Sequence, residues 1–535
     1  MKKYILLVIL GLILLPFEGR LGRVFSADRT YTIDKNLSIY FDVMRQIDMN
    51  YVDTLNYKDL TETAINAMLK KIDPYTVYYP KTKDDELKMM TTGKYGGIGA
   101  IIQQRPAKGF KQDKKDKDRI TIIANPYEGK PAQKNGVLAG DKLLSVNGWS
   151  TKDQPLDEVS NHLRGVPGTT VTLRIEREGT KKPFEKTLIR EEVRIDPIEY
   201  AKLIQDSIIY ISLREFTAGC ANDFANELNK LVQQGGKRLI FDLRGNGGGI
   251  VDEAVSILNN FVERETEVVY TKGKIRAYNR SYVTTSYPAY PDMPLVVLVD
   301  RNSASASEIV SGCLQDLHRA TLIGERTFGK GLVQNLRPVA YDGHLKVTTS
   351  KYYLPSGRCI QAIDYAERQK GNELKKDTAG GILPDIVMAD SQKVDIAYTL
   401  YVNNLFFDYS VRYHRLHPTI APADSFEISD AELEDFCAFL DEKEFTYETE
   451  TGKFFKDMLN MAEHEDLDSA TIAALKEFEP SLKPNFRTAI DKHKDEIKLM
   501  LGAEIVERYY FQRGRFGYML RDDKVYDRAI QEIKK

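Results

Sequence analysis

The run Leu295-Val296-Val297-Leu298-Val299-Asp300-Arg301-Asn302-Ser303-Ala304-Ser305-Ala306-Ser307-Glu308 decides how the chain folds. Five aliphatic residues without a polar break read as a strand buried on both faces, the kind found in parallel sheets. Beyond it, Ile309, Val310, Cys313, Leu314 and Leu317 share one face of a helix predicted over 307–317. A serine at such a strand-to-helix turn stands above the sheet edge with the helix dipole behind it, and the alanines leave room for a substrate backbone. Ser305-x-x-Glu308 also has the spacing of a capping box, which requires no chemistry. Both readings of Ser305 stand at this point.

Working outward, strands alternate with helices. Strands over 208–216, 239–243 and 322–324 and helices over 221–233 and 251–262 predict an α/β layer with mostly parallel strands. Asp342-Gly343 predicts a hairpin turn, and 346–354 its second strand. Upstream, residues 93–193 break into short β runs (98–102, 120–123, 143–146, 171–175), with a turn at Asn147-Gly148 and a helix over 156–163. The charged run 111–119 reads as a solvated loop, and 367–381 as another. Helical spacing marks 38–50 and 60–69, broken by Asp73-Pro74-Tyr75, and the chain is helical again after about 391. The fold class is therefore α/β (α+β multidomain). The expected parts are 1–26, 27–90, 91–190, 191–390 and 391–535.

A nucleophilic serine needs a base. His318 and His344 have no orienting acid nearby in sequence, so lysine is the alternative. Lys330 lies between Gly329 and Gly331, which would let the chain pass close to another element and bury the amine. Acting near pH 7 requires burial to lower a lysine pKa of about 10.4 by roughly 3.4, about 4.6 kcal/mol. Gln334, four residues on, shares a face with Lys330 if the segment is extended, and its amide oxygen could accept from the amine. Oxyanion donors could come from Asp242-Leu243-Arg244-Gly245-Asn246-Gly247-Gly248-Gly249, where a strand ends in bare glycine amides. The same run could be a phosphate cradle, but the full Walker spacing is missing. Tyr95-Gly96-Gly97-Ile98-Gly99-Ala100 could point amides at a terminal carboxylate beside a strand edge open to an extended peptide.

Composition removes other classes. Lys+Arg 76 against Asp+Glu 78 leaves a net charge of −2, without the basic field that nucleic acid requires. Four scattered cysteines without a CxxC pair exclude a disulfide framework and a zinc ribbon, and seven histidines form no HExxH, so no metal and no cofactor are expected. Lys2 and Lys3 before the apolar run 4–16 read as a signal peptide cleaved after Val24-Phe25-Ser26, or as an uncleaved anchor given Arg20 and Arg23. The protein is expected outside the cytoplasm, in the periplasm or cell envelope.

Taken together these pieces resemble the C-terminal processing peptidases, or tail-specific proteases. The resemblance covers roughly 39–386. It rests on Ile72-Asp73-Pro74-Tyr75, Tyr-Gly-Gly-Ile-Gly-Ala, Ala139-Gly140-Asp141 with Val146-Asn147-Gly148, and Leu163-Arg164-Gly165 with Pro167-Gly168. It continues through Asp242-Leu243-Arg244, the Ser-Ala-Ser-Ala-Ser-Glu run, Phe328-Gly329-Lys330-Gly331 with Gln334, and Pro384-Asp385-Ile386, in the family's order. It implies a crotonase/Clp-type β/α spiral core with an inserted PDZ domain. It also implies Ser305 as nucleophile, Lys330 as base and Gln334 as its orienting amide. Ala306 with Gly247 or Gly248 would be the oxyanion donors. Tyr95, Gly96, Gly97, Ile98, Gly99 and Ala100 would form the carboxylate loop, walled by residues such as Ile98 and Ile101. Arg164 would couple that domain to the active site. Expected partners are protein or peptide substrates with free C-terminal tails, and a homo-oligomer or adaptor bound through the C-terminal helices. The competing readings are a catalytically silent PDZ scaffold and a crotonase-type acyl-CoA enzyme.

Overall fold

The computed structural model describes residues 18–106, 118–369, 380–388, 395–482 and 484–535. The apolar run 4–16, most of the charged loop and most of the loop after 367 lie outside these residues. Two compact units divide the chain, Met1–Lys71 and Ile72–Lys535. In the first, helices Glu18–Asn50 and Tyr57–Lys70 extend the two predicted ones at their N-termini. Asn56 caps the second, accepting from Asp59 N at 3.2 Å, and the Tyr57 hydroxyl donates to Asp48 at 2.6 Å. No helix among the described residues is long and apolar enough to cross a membrane.

The second unit is built on a six-stranded sheet in the order Ile198–Ile204, Ile208–Leu213, Arg238–Asp242, Leu295–Val299, Thr321–Gly324, Ile386–Val387. Only the first pair is antiparallel. Alternate residues face opposite sides, and both sides are covered, which is why the strands read as unbroken aliphatic runs. Ile211, Leu239, Phe241, Val297 and Val299 pack under helices Cys220–Gln233, Val251–Leu258 and Ala306–Asp316. On the other face Tyr210, Ile240, Val296, Leu298 and Ile323 pack under Val525, Ala529, Ile530 and Ile533 of the last helix, Lys524–Ile533. Each such side chain contributes about 1.5–3 kcal/mol by leaving water. The end of the C-terminal region therefore completes this layer.

A second sheet holds Val77–Tyr79, Glu267–Gly273, Ser281–Val283, Leu332–Val339 and Gly343–Tyr353. The predicted hairpin turn sits one residue early: Tyr341 and Asp342 take positive φ (58° and 57°), and Gly343 already begins the strand. Strands Glu267–Gly273 and Ser281–Val283 were not foreseen.

The inserted β-rich domain enters and leaves through strands Lys94–Gly97 and Glu191–Arg194, which pair antiparallel. Strands Ala100–Pro106, Arg119–Pro126, Lys142–Val146, Thr170–Glu176 and Phe184–Ile189 with helix Leu156–Leu163 enclose Ile123, Val146, Val159, Leu173 and Ile175. The C-terminal helices Leu405–Leu416, Asp430–Glu442 and Lys494–Met519 share a core of Phe406, Tyr409, Phe436, Leu440 and Leu501. They also hold the inserted domain. Phe407 packs on Ile122 and Ala124, Arg508 donates to Ala124 O at 2.9 Å, and Asn125 Nδ2 donates to Glu507 at 2.8 Å.

Candidate active site

Ser305 is the N-cap of helix Ala306–Asp316 and is 8% exposed. Its backbone has φ 56° and ψ −112°, outside the region L-residues favour, the signature of a strained turn at the end of a buried strand. The capping box is present in the sense that Glu308 Oε2 accepts from Ser305 N at 2.9 Å. Glu308 does more than cap. It is fully buried, and its carboxylate also accepts from Thr327 Oγ1 at 2.6 Å, Gly329 N at 2.8 Å and Lys330 N at 2.9 Å. Burial pushes its pKa up, while the four hydrogen bonds pull it back.

One carboxylate thus holds the backbone amides of both Ser305 and Lys330. The buried Tyr352 hydroxyl lies at hydrogen-bond distance from the carbonyl oxygens of the same two residues, 3.0 Å for Ser305 O and 2.5 Å for Lys330 O. The predicted dyad residues are therefore neighbours in space although 25 positions apart in sequence. The glycines beside Lys330 act as expected. A Cβ on Gly329 would stand 2.5 Å from Ala362 Cβ, and one on Gly331 2.8 Å from Gln361 N. Lys330 is half-buried, and its amine lies 4.8 Å from the centre of the Tyr75 ring. Burial lowers its pKa, the Lys346 charge lowers it further, and Glu308 and Asp73 oppose both. Among the described residues no hydrogen bond joins Lys330 Nζ to Ser305 or to any other side chain.

Gln334 is on the strand after the Gly-Lys-Gly turn, but the register slips between Val333 and Gln334, so simple alternation from Lys330 does not hold. Its amide nitrogen donates to Leu332 O at 3.2 Å and Thr348 Oγ1 at 3.3 Å.

The glycine run packs directly on the nucleophile turn. A Cβ on Gly248 (φ 99°) would lie 2.6 Å from Ala304 O and 2.7 Å from Ser305 Cβ, so only glycine fits. Asn246 fixes the loop: its carbonyl accepts from Ala304 N at 3.0 Å and Ser307 Oγ at 2.9 Å, and its Oδ1 accepts from Gly248 N at 2.8 Å. The Gly248 amide is thereby occupied, whereas the amides of Gly247 and Ala306 have no protein partner among the described residues. Asp242 accepts from Arg244, and Arg244 also pairs with Asp523 at 2.7 Å, so the cap of the last helix braces this loop.

In the inserted domain the Gly96, Ile98 and Gly99 carbonyls are turned inward, accepting from Gly165 N at 3.1 Å, Ala132 N at 2.8 Å and Tyr127 N at 2.9 Å. The Ile98 and Gly99 amides are left without a protein partner among the described residues. Tyr95 lies under Arg164, whose guanidinium is 5.5 Å from the ring centre and whose Nη2 is 3.4 Å from Met89 Sδ of helix Asp84–Thr92. The side-chain wall differs from expectation. Ile98 is buried in the domain's own core, and Ile101 packs toward Phe407, because alternation turns it away from Ala100 and Ile102.

Sequence reasoning missed Glu308 beyond its cap, Tyr75, Tyr352 and Asn246. An acid at N3 of a helix with a continuous apolar face was the available signal for Glu308. Among the described residues no group of three or more His, Cys, Asp or Glu is placed to hold a metal.

Compared with known families, residues 207–388 match Peptidase family S41, residues 122–177 match the PDZ domain, and residues 396–533 match "Probable PDZ-protease, C-terminal helical domain". A "Carboxy-terminal-processing protease" of Bartonella bacilliformis is 32% identical over 358 residues, 66% of this chain and 75% of that protein. A "Carboxyl-terminal-processing protease" of Synechocystis sp. is 36% identical over 315 residues, 58% of this chain and 70% of that protein. The solved structure of a photosystem II D1 C-terminal processing protease is 26% identical, with 65% of this chain and 86% of that one covered at a TM-score of 0.36. These findings define a multidomain α/β serine-type peptidase that carries a PDZ domain. The chain belongs to the carboxy-terminal-processing proteases of peptidase family S41.

Proposed function

We propose that the protein is an exported endopeptidase that captures the C-terminal tail of a protein substrate in its PDZ domain and cleaves upstream with a Ser305–Lys330 dyad. The observation that carries this reading is the shared clamp of Glu308 and Tyr352 on the backbones of both residues. The tail carboxylate would meet the free amides of Ile98 and Gly99, with the strand beginning at Ala100 as the template for β-addition. Neutral Lys330 takes the Ser305 proton, Oγ attacks the scissile carbonyl, and the oxyanion is held by the amides of Ala306 and Gly247. The lysine ammonium then protonates the leaving amine, and water releases the acyl group from Ser305. To act, the Lys330 amine exchanges its contact with the Tyr75 ring for one with Ser305 Oγ.

Export rests on Lys2, Lys3 and the apolar run that follows. An oligomeric or adaptor contact through the C-terminal helices belongs to the same reading, and the mass of the protein in solution tests it. The dyad is tested by labelling with a fluorophosphonate and mapping the modified peptide by mass. Labelling at Ser305 in the native protein, lost in Lys330→Ala, is the expected result. Binding of a tail peptide with neither labelling nor cleavage would favour the silent scaffold. Full cleavage by Ser305→Ala and Lys330→Ala would overturn the dyad.

A further inference from the structure

Gln334 can serve the lysine only through its carbonyl oxygen, because a lysine amine approaching as a donor needs an acceptor. Which end of the amide it meets is fixed behind Gln334. Leu332 O can only accept, so the amide nitrogen faces it at 3.2 Å, and the second N–H goes to Thr348 Oγ1 at 3.3 Å. Thr348 therefore acts as acceptor toward Gln334. Its other hydroxyl neighbour is Thr76. The Thr76 hydroxyl faces two acceptors as donor, Asp73 Oδ2 at 3.1 Å and Thr348 Oγ1 at 3.4 Å, so Thr348 Oγ1 is an acceptor toward Thr76 as well as toward Gln334. The Thr348 backbone amide donates to Thr76 Oγ1 as well, at 3.2 Å, which fixes the two side chains in register. Asp73 is itself immobile: it is 4% exposed, and Oδ1 accepts from Tyr75 N at 2.8 Å and Thr76 N at 2.7 Å.

We infer that Thr348, ordered by Thr76 and Asp73, is a positioning residue for the base: it holds the Gln334 amide so that the carbonyl oxygen is left for Lys330. Thr348 Oγ1 accepts from Gln334 on one hand and from Thr76 on the other, and Thr76 ties it to the buried Asp73 carboxylate. The segment 73–76, which precedes the inserted domain, thus acts on a base more than 250 residues later. This inference rests on the Ser–Lys reading above.

The test is steady-state cleavage of a tail peptide by the full chain. Thr348→Val keeps the β-branch and removes the hydroxyl. A fall in kcat of about tenfold with KM little changed is expected, since misdirecting the base affects the chemical step. Thr348→Ser restores turnover, and in a Gln334→Ala background Thr348→Val adds no further loss. Should Thr348→Val fold poorly, Thr76→Val breaks the next link and predicts the same pattern on a smaller scale. The inference is overturned if the valine variants keep wild-type kcat, if only KM changes, or if the losses multiply on Gln334→Ala. If Ser305→Ala and Lys330→Ala are inactive while Gln334→Ala matches wild type, this inference alone falls. If both alanine variants of the dyad cleave normally, the Ser–Lys reading falls first and carries this one with it.

Discussion

The turn that carries Ser305 and the turn that carries Lys330 are held alike at the backbone and differently at the side chain. Both donate an amide to Glu308, and both carbonyls lie against Tyr352. Ser305 is further fixed by a strained φ/ψ pair, by the helix it starts and by Gly248 pressed against its Cβ. Lys330 has its chain pinned by Gly329 and Gly331, yet its long side chain rests on an aromatic face with no hydrogen bond or ion pair among the described residues. On the proposed dyad, the nucleophile is therefore set by folding, and the base is left able to move. An interaction of about 0.5–2 kcal/mol with a ring is easily exchanged for one with a hydroxyl. Any control of the enzyme at this site acts most cheaply on the lysine side chain.

The strongest way to break the comparison is Lys330→Arg. Arginine keeps the length and charge and can keep the contact with Tyr75, but it cannot be neutral at working pH. Cleavage of a tail peptide is expected to fall by about 10³-fold or more with the melting temperature little changed. Appreciable turnover would mean that some other group takes the Ser305 proton. The shared clamp is broken next by Glu308→Gln. The amide presents N–H groups where two of the four donors stand, leaving buried donors without acceptors, at a cost of about 2–4 kcal/mol in stability. Both turns loosen together, so kcat is expected to fall by roughly tenfold to a hundredfold. A drop in melting temperature with full turnover would show that Glu308 is only a cap.

Much of this was legible in the chain because it follows from local rules. The strand Leu295–Val299 was read to the residue, since five aliphatic residues between a proline and a charged turn have no other place in a soluble domain. Helix Leu156–Leu163 was equally clear from its amphipathic spacing. The glycines around Lys330 were read as points of close approach, and the structure puts Ala362 and Gln361 there. What stayed hidden depends on pairings at long range. Nothing in the apolar face of Lys524–Ile533 says that it covers the second side of the catalytic sheet. Nothing in Asp73-Pro74-Tyr75 beyond a helix break says that Tyr75 lies under a lysine from 330. The slip at Val333 and Gln334 shows the same limit: alternation is a local rule, and the partner strand sets where it is broken.

The smallest effects sharpen the comparison most, because they read the lysine while leaving the nucleophile alone. In the proposed dyad the neutral amine is the active form, so kcat/KM is expected to fall as pH drops through the folded pKa of Lys330. Burial and the Lys346 charge both disfavour the ammonium, which puts this acid limb below the ordinary lysine range. Tyr75 and Lys346 then act with opposite sign. The Tyr75 ring favours the ammonium, so Tyr75→Leu, which keeps an apolar wall, lowers the pKa and moves the limb to lower pH, by about 0.7 for about 1 kcal/mol. Lys346→Gln removes a repelling charge, raises the pKa and moves the limb to higher pH by a few tenths at most, because Lys346 is partly exposed and screened by salt. Only this second shift should shrink as ionic strength rises. Two shifts of the same sign, or a limb insensitive to both, would mean that the titrating group is not the amine held between those two neighbours.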